Sequence, residues 1–366
     1  MMSGIQNWFS ADSPHARFLC VIFLVAALNV FVRLEFLPLT ISTDAHSYLD
    51  SARLISGEDT ETIHPGRLLK PLAPLGIALL APFFGGNMTS AFLALNILCY
   101  LLLAGAAYAL MLLFTTDRFL AMLGTLMFIS TYPVLEYGLN LYSEMGAWAL
   151  YVLAIAGAVK YYRDASWKNF WFTVGAVAVG LLWKEYAVLA GIFFGLLILA
   201  EPSRVWKEKW IRIALLGVAS AATLGVAATV VYAQFHYTYI DWLHDASSTD
   251  AAQSQYHFYF IAKSLLGVFL LGWGLVLSGV WHFRTLPRLD QLTLALLLPP
   301  SMMFLLWTFV SSRLYYVIAP LLAILALHGL RSFSVHRFVQ VAFVVLALAG
   351  NYAWLFAAGN LRVLFQ

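Results

Sequence analysis

The chain has 366 residues, of which 62% are hydrophobic, 16% aromatic and only 11% charged, with a formal charge of +3. An ordinary soluble domain carries about 25% charged residues, and the mean hydropathy here is +0.82. These values exclude a soluble globular enzyme and point to a polytopic membrane protein. With only short links between the apolar runs, any chemistry has to sit among helices and loops.

The apolar runs predict an all-α fold with spans near 17–38, 88–114, 119–135, 143–160, 170–183, 186–200, 212–234, 260–281, 291–310, 314–330 and 338–357, about eleven transmembrane helices. No small-residue cleavage site follows the first run, Phe18 to Leu39, so it is expected to remain as a helix. Next comes TDAHSYLDSARLI, Thr43–Ile55, a polar run in a greasy chain. Asp44, Tyr48 and Ala52 stack at i, i+4 and i+8, which predicts a short juxtamembrane helix ending at Gly57. Asp44 then has two readings: a helix N-cap accepting a backbone N–H, or an acid presented for chemistry. Asp50 lies about 240° further round the helix and is expected to be solvated.

His64, Arg67 and Lys70 follow in HPGRLLKP. They are either an anion-binding cluster or a charge balance for Glu58, Asp59 and Glu61. KPLAPLGIALLAPFFGG, Lys70 to Gly86, contains Pro71, Pro74 and Pro82 and is too short to span, so it reads as interfacial or re-entrant. Asn87-Met88-Thr89 is a glycosylation sequon close to the membrane. The tip EYGLNLYSE of the next hairpin carries Glu136 and Glu144; the latter opens a helix, where a negative charge suits the dipole.

The segment Trp167 to Pro202 has basic residues at both flanks, so it must cross an even number of times, as a hairpin. Limbs of about 14–16 residues reach only roughly 21–24 Å, which places the tip Trp183-Lys184-Glu185-Tyr186 below the surface. Lys184 and Glu185 are adjacent and point about 100° apart, so each needs a partner elsewhere unless the tip simply snorkels. FHYTYIDWLHD, Phe235 to Asp245, fits an aromatic interface belt, and His236, His244 and His257 have no metal-ligand spacing. Arg313 is the only charged residue between Asp290 and Arg331; it is an anion-binding candidate or a snorkelling end. Cys20 and Cys99 fall in apolar runs and read as packing residues. The terminal LRVLFQ looks like the remnant of tag removal by a 3C-type protease, over residues 363–366.

With the N-terminus inside, one side of the membrane collects Arg17, Arg118, Lys160, Arg163, Lys168, Arg204, Lys207, Lys209, Arg212, Arg284, Arg288, Arg331 and Arg337. The other collects Glu35, Asp44, Asp50, Glu58, Asp59, Glu61, Glu136, Glu144, Glu185, Asp241, Asp245 and Asp250. The cations Arg67, Lys70, Lys184 and Arg313 fall on this acidic face, against the trend.

In this order, the motifs resemble the GT-C superfamily of polyprenyl-phosphate-sugar-dependent membrane glycosyltransferases, which includes protein O-mannosyltransferases and lipid A aminoarabinose transferases. The similarity rests on D-x-x-x-Y-x-x-x-A at Asp44, Tyr48 and Ala52 and the basic, proline-rich RLLKPLAPLGIALLAPFFGG. It continues with Glu144 at a helix start, GLLWKEYAVLA, and SRLYYVIAPLLAIL. Two departures stand out: Ala45 replaces the second acid of many relatives, and no soluble C-terminal domain follows, so acceptor recognition is expected from loops and grooves.

The resemblance implies one GT-C-like membrane domain over 1–362, with a catalytic outer loop about 40–86 and short juxtamembrane helices in it. It implies a glycosyltransferase of the cell envelope, in glycan biosynthesis, that moves one sugar from a polyprenyl-phosphate donor to a hydroxyl acceptor on a glycan, lipid or polymer, with inversion. Asp44 would be catalytic, and Arg67, Lys70, Lys184 and Arg313 would hold the donor phosphate. Glu144, Glu185, His64 and Tyr48 are candidates for binding the acceptor or a divalent cation. The expected setting is a bacterial inner membrane with the site facing the periplasm or exterior. A transporter or flippase of a lipid-linked or anionic substrate also uses buried cations, and a glycan ligase is the third reading. Nothing suggests a P-loop, a dinucleotide fingerprint or a nucleic-acid partner.

Overall fold

A computed structural model of the chain describes residues 15–39, 41–60, 62–245, 258–306, 312–332 and 336–364. Glu61, Asp250, His257, Phe365 and Gln366 lie outside the described residues, as do the roles expected of them. Among the described residues every regular element is helical.

The chain begins with α1 (Ala16–Phe36) and the short α2 (Thr43–Ile55), followed by α3 (Pro65–Leu68) and α4 (Leu72–Leu80), which a 3-10 turn extends to Phe84. Then come α5 (Met88–Phe114), α6 (Arg118–Ile129), α7 (Glu144–Asp164), α8 (Trp167–Leu181), α9 (Ala187–Ala200) and α10 (Trp206–Phe235). The remainder comprises α11 (Phe258–Phe269), α12 (Trp273–Trp281), α13 (Arg288–Met302), α14 (Ser312–Tyr315), α15 (Ala319–Ser332) and α16 (Arg337–Leu364).

Local chemistry sets the boundaries. Ser42 caps α2 by accepting from the Ala45 N–H at 3.2 Å, and Gly57 at φ +80° ends the turn beyond it. Asn87 caps α5 through Ser90 N–H at 3.0 Å, so the amide of the sequon is engaged in a helix start. Asp117 caps α6 and Ser166 caps α8. Prolines 299 and 300 near the end of α13 remove backbone donors, and the helix passes into a 3-10 turn at Met303–Leu306.

Eight helices among the described residues are long and apolar enough to cross a membrane, and the chain is an integral membrane protein. Helix length alone does not confirm the predicted count of eleven. The segments read as spans at 119–135, 170–183 and 186–200 are helices of 12, 15 and 14 residues, about 18–22 Å long. At the end of the bundle where Asp44 lies, α6 and α8 end and α9 begins, next to turns that carry polar side chains.

Inside a bilayer, helices associate through close packing and buried hydrogen bonds, since lipid tails are as apolar as leucine. The tightest crossing illustrates the first: a Cβ at Gly279 would run into the Leu325 backbone, and one at Gly329 into the Leu275 backbone, so α12 and α15 meet main chain to main chain. The second is seen where the Asn29 amide donates to the hydroxyls of Tyr100 at 2.6 Å and Ser130 at 3.0 Å, tying α1 to α5 and the end of α6. At the centre stand α7 and the segment Arg313–Ser332, buried over 89% and 94% of their apolar windows; α1 and α16 at 28% and α10 at 11% form the rim. Each central helix begins with a charged residue, Glu144 and Arg313.

Candidate active site

Five segments of the chain converge at the ends of these two helices. Helix α2 supplies Asp44, the first turns of the loop beyond it supply Arg67 and Lys70, the α8–α9 tip supplies Lys184 and Glu185, and α7 and α14 supply Glu144 and Arg313.

Asp44 sits in the first turn of α2, and Ser42 is the cap, so the capping reading of Asp44 falls away. Its two carboxylate oxygens are shared between two guanidiniums: Arg67 Nη2 to Oδ1 at 2.5 Å and Arg313 Nη1 to Oδ2 at 3.1 Å. Arg67 also donates from Nε to Ser47 Oγ at 3.0 Å, and Ser47 in turn donates to the Asp44 carbonyl at 2.8 Å. The Arg67 guanidinium lies 4.8 Å over the Tyr48 ring, whose hydroxyl accepts from Ser143 Oγ at 2.8 Å. Burial alone would raise the Asp44 carboxyl. The charges of Arg67, Arg313 and Lys184, with the Arg313 hydrogen bond, outweigh it and bring the carboxyl down to about 2.

Behind Asp44 lies a deeper pair. The Glu144 side chain is only 1% exposed and accepts from Lys184 Nζ at 2.6 Å, with Arg313 Nη1 at 3.6 Å. Lys184 is held in its charged form, Glu144 being the main cause that overcomes burial. Lys70 is buried against the Glu185 carboxylate, and its Nζ lies 3.8 Å over the Trp242 ring. Each member of the Lys184–Glu185 doublet thus has its own partner on another segment. The charge balance expected of Arg67 and Lys70 is met by Asp44 and Glu185, and neither pairs with Glu58 or Asp59 among the described residues.

Polar framework positions these charges. Asn96 on α5 donates to the carbonyls of Asn140 at 2.6 Å and Tyr142 at 2.9 Å, holding the turn that leads into α7. The Trp183 indole donates to the Ser143 carbonyl at 2.8 Å and rests on Gly146, where a Cβ would overlap it. Gly146→Ala is therefore expected to push the α8–α9 tip away from α7, costing about 1–3 kcal/mol of stability and displacing Lys184. Thermal unfolding of the purified variant in detergent measures the first effect, and a fall in transfer rate beyond it the second.

Other expectations need correction. Asp50 is not merely solvated: it accepts from Arg53 at 2.9 Å and Thr62 at 3.0 Å, and its side chain is 16% exposed, because the loop after α2 folds back over it. The Phe235–Asp245 stretch is not only an interface belt. Trp242 covers Lys70, and the Tyr239 hydroxyl donates to the Leu69 carbonyl at 2.9 Å, since residues 239–245 turn back toward α3. His64 is exposed at the start of α3, and its ring makes no hydrogen bond or ion pair with another described residue. Tyr142 under Arg313 at 5.1 Å, Ser47, Ser143 and Trp242 are contributors that sequence reading passed over. Only Ser47 carried a signal, one helical turn after Asp44.

The residues present do not fit a divalent cation. Asp44, Glu144 and Glu185 are each taken up by lysine or arginine, and among the described residues no three His, Cys, Asp or Glu side chains converge. Four basic side chains face three carboxylates; burial and the neighbouring Lys184 and Arg67 push Lys70 well below the usual lysine range, and Asp44 is the most exposed acid of the recess at 33%.

No protein-family model matches the chain, and no curated protein matches it. Solved structures do. The ArnT of Cupriavidus metallidurans bound to undecaprenyl phosphate superposes with a TM-score of 0.64 at 17% identity, over 94% of this chain and 72% of that one. The Archaeoglobus fulgidus oligosaccharyltransferase, in complex with Zn and sulfate, gives a TM-score of 0.57 at 15% identity, over 93% of this chain and 52% of that one. The chain spans nearly three quarters of the first and about half of the second. Both matches run along almost the whole of the chain, and they show that it shares the fold of these two membrane proteins.

Proposed function

We propose that the protein transfers one sugar from a polyprenyl-phosphate donor to a hydroxyl acceptor, with inversion, at the membrane face where Asp44 lies. That face is the periplasmic or exterior side of a bacterial inner membrane. The observation that carries this reading is a partly exposed carboxylate gripped by two arginines inside a recess lined by further basic side chains. A fold shared with an ArnT that binds undecaprenyl phosphate supports the donor class.

The charges balance through the reaction. A polyprenyl-phosphate sugar is a phosphodiester with one negative charge, which Arg67 and Arg313 can receive in place of the Asp44 carboxylate. The acceptor oxygen forms its bond to the anomeric carbon as the bond from that carbon to the phosphate oxygen breaks, and the electron pair stays on the phosphate. The acceptor proton passes to Asp44. As the phosphate gains its second charge, Asp44 loses its own, so Arg67 and Arg313 are released from the carboxylate toward the phosphate. The leaving group is weakly basic, so no general acid is required. Preorganised cations stabilise the charge that develops on it.

Held at about 2, Asp44 is a poor base while both arginines bind it. Donor phosphate competes for the same guanidiniums, and each one it withdraws raises the basicity of the carboxylate. The site thereby activates its base only when donor is present. Glu144, buried behind Lys184 and Arg313, serves as their anchor rather than as an acceptor contact.

Purified protein incubated with a polyprenyl-phosphate sugar and a hydroxyl acceptor is expected to release polyprenyl phosphate and a product enlarged by one sugar. Transfer of an entire glycan would instead mark a ligase, and movement of the intact lipid across a vesicle without turnover a flippase. Arg313→Ala is expected to lower kcat/KM for the donor about ten- to hundred-fold, the worth of a lost charge-assisted hydrogen bond. Unchanged kinetics at limiting donor would remove Arg313 from the phosphate site.

A further inference from the structure

A second cationic site lies at the opposite end of the bundle. The Arg212 guanidinium, on the second turn of α10, is 1% exposed and donates from Nη1 to the Tyr161 hydroxyl at 2.8 Å. Tyr161 lies seventeen residues after Glu144 on α7, about 25 Å along its axis, so this site is separate from the one around Asp44.

Arg212 is packed among aromatic faces, 4.1 Å over Trp167 and 5.2 Å over Tyr161. Its Nε is buried with no hydrogen-bond partner, and no carboxylate of the described residues lies in ion-pair contact with it. A buried guanidinium without a direct ion pair is costly, and an arginine fork is shaped to receive a phosphate. Arg212 lines a cavity of about 230 Å³ with Trp167, Arg204, Glu208 and Ile211. At ~30 Å³ per water, that holds a phosphate and several waters. Arg204 reaches Glu201 at 2.8 Å and Glu208 at 3.0 Å, so the cavity has a carboxylate on one wall; Glu201 also accepts from the Tyr161 hydroxyl at 3.0 Å, so it stands one hydroxyl away from Arg212 and is shared with Arg204.

The surroundings indicate where the phosphate comes from. Trp167, Trp171, Trp206 and Trp210 are 49%, 49%, 64% and 58% exposed around this site, as tryptophans are at the headgroup level of a bilayer. Lys207 is exposed beside them. Helix α10 changes here from a charged first turn and a half to the apolar stretch of its span.

We infer that the Arg212 cavity binds the phosphodiester headgroup of an anionic glycerophospholipid in the leaflet opposite the active site. The guanidinium takes the phosphate, the tryptophans hold the interfacial depth, and the acyl chains run along the exposed face of α10.

Native mass spectrometry of the purified full chain, with phosphatidylglycerol or phosphatidylcholine of identical acyl chains added, tests this. Phosphatidylglycerol is expected to bind preferentially, on the order of five-fold or more, the worth of one well-placed cation at a membrane surface. Arg212→Gln should abolish the preference. Because that residue is buried, Ile211→Glu is the second variant: Ile211 is 47% exposed, and a carboxylate at the cavity mouth repels an anion without removing any core contact. Equal binding of the two lipids to the wild type would overturn the inference. So would a preference that survives Ile211→Glu. Inorganic phosphate displacing phosphatidylglycerol at equal concentration would overturn the lipid as the occupant.

Discussion

Asp44→Asn is expected to lower the turnover number by about 10²- to 10⁴-fold, the range for loss of a positioned general base, without weakening donor binding. The second half follows from the geometry. The carboxylate of Asp44 competes with donor phosphate for Arg67 and Arg313, so its neutral replacement leaves both arginines freer for the donor. A donor titration beside a single-turnover measurement separates the two effects. Transfer surviving within a few-fold would remove Asp44 as the base, and weakened donor binding would show that the carboxylate only organises the arginines.

The pH dependence carries the same signature. The Asp44 carboxyl is depressed, so its folded-state stabilisation is present above the ordinary aspartate value and is lost as pH falls through about 2. In kcat/KM, which reports the free enzyme, Asp44 should therefore contribute no acid limb between pH 4 and pH 8. A limb from this residue should emerge only in kcat, where bound donor has drawn the arginines away.

The second large effect concerns the buried pair beneath. Glu144→Gln leaves Lys184 charged and half-partnered in a recess where Glu144 is 1% exposed and Lys184 14%. Removing one member of a buried pair typically costs about 3–5 kcal/mol, because the other remains as an uncompensated charge. Reversible unfolding in detergent should show that loss for Glu144→Gln and for Lys184→Met. The double variant should recover much of it while remaining inactive. Additive losses would mean the two residues do not depend on one another.

How far the site was legible from residues alone varies from one residue to the next. Asp44 was visible because its polar helix interrupts a hydrophobic chain, and Lys184 because an ionisable doublet inside an apolar hairpin needs partners. Neither partner could be named: Glu144 is 40 residues away from Lys184 and Arg313 is 269 away from Asp44, separations that only the packing of helices closes. Asp50 and Trp242 were misjudged for the same reason, since each is covered by a chain segment that local periodicity does not place. The count of spans is the least legible part, since hydropathy reports apolar length alone. At 119–135, 170–183 and 186–200 the apolar runs are real, but their ends turn aside into the polar recess.

Composition and the order of motifs alone determined that this is an all-helical membrane protein with a charge-bearing face, because about 30 Å of hydrocarbon imposes its length and polarity on every span. Which charges meet was decided only by the tertiary structure. Ion pairs act over a few ångströms, whereas the sequence records only position along the chain. In this fold the starts of α7 and α14 must come together before Asp44, Arg67, Glu144, Lys184 and Arg313 become one site.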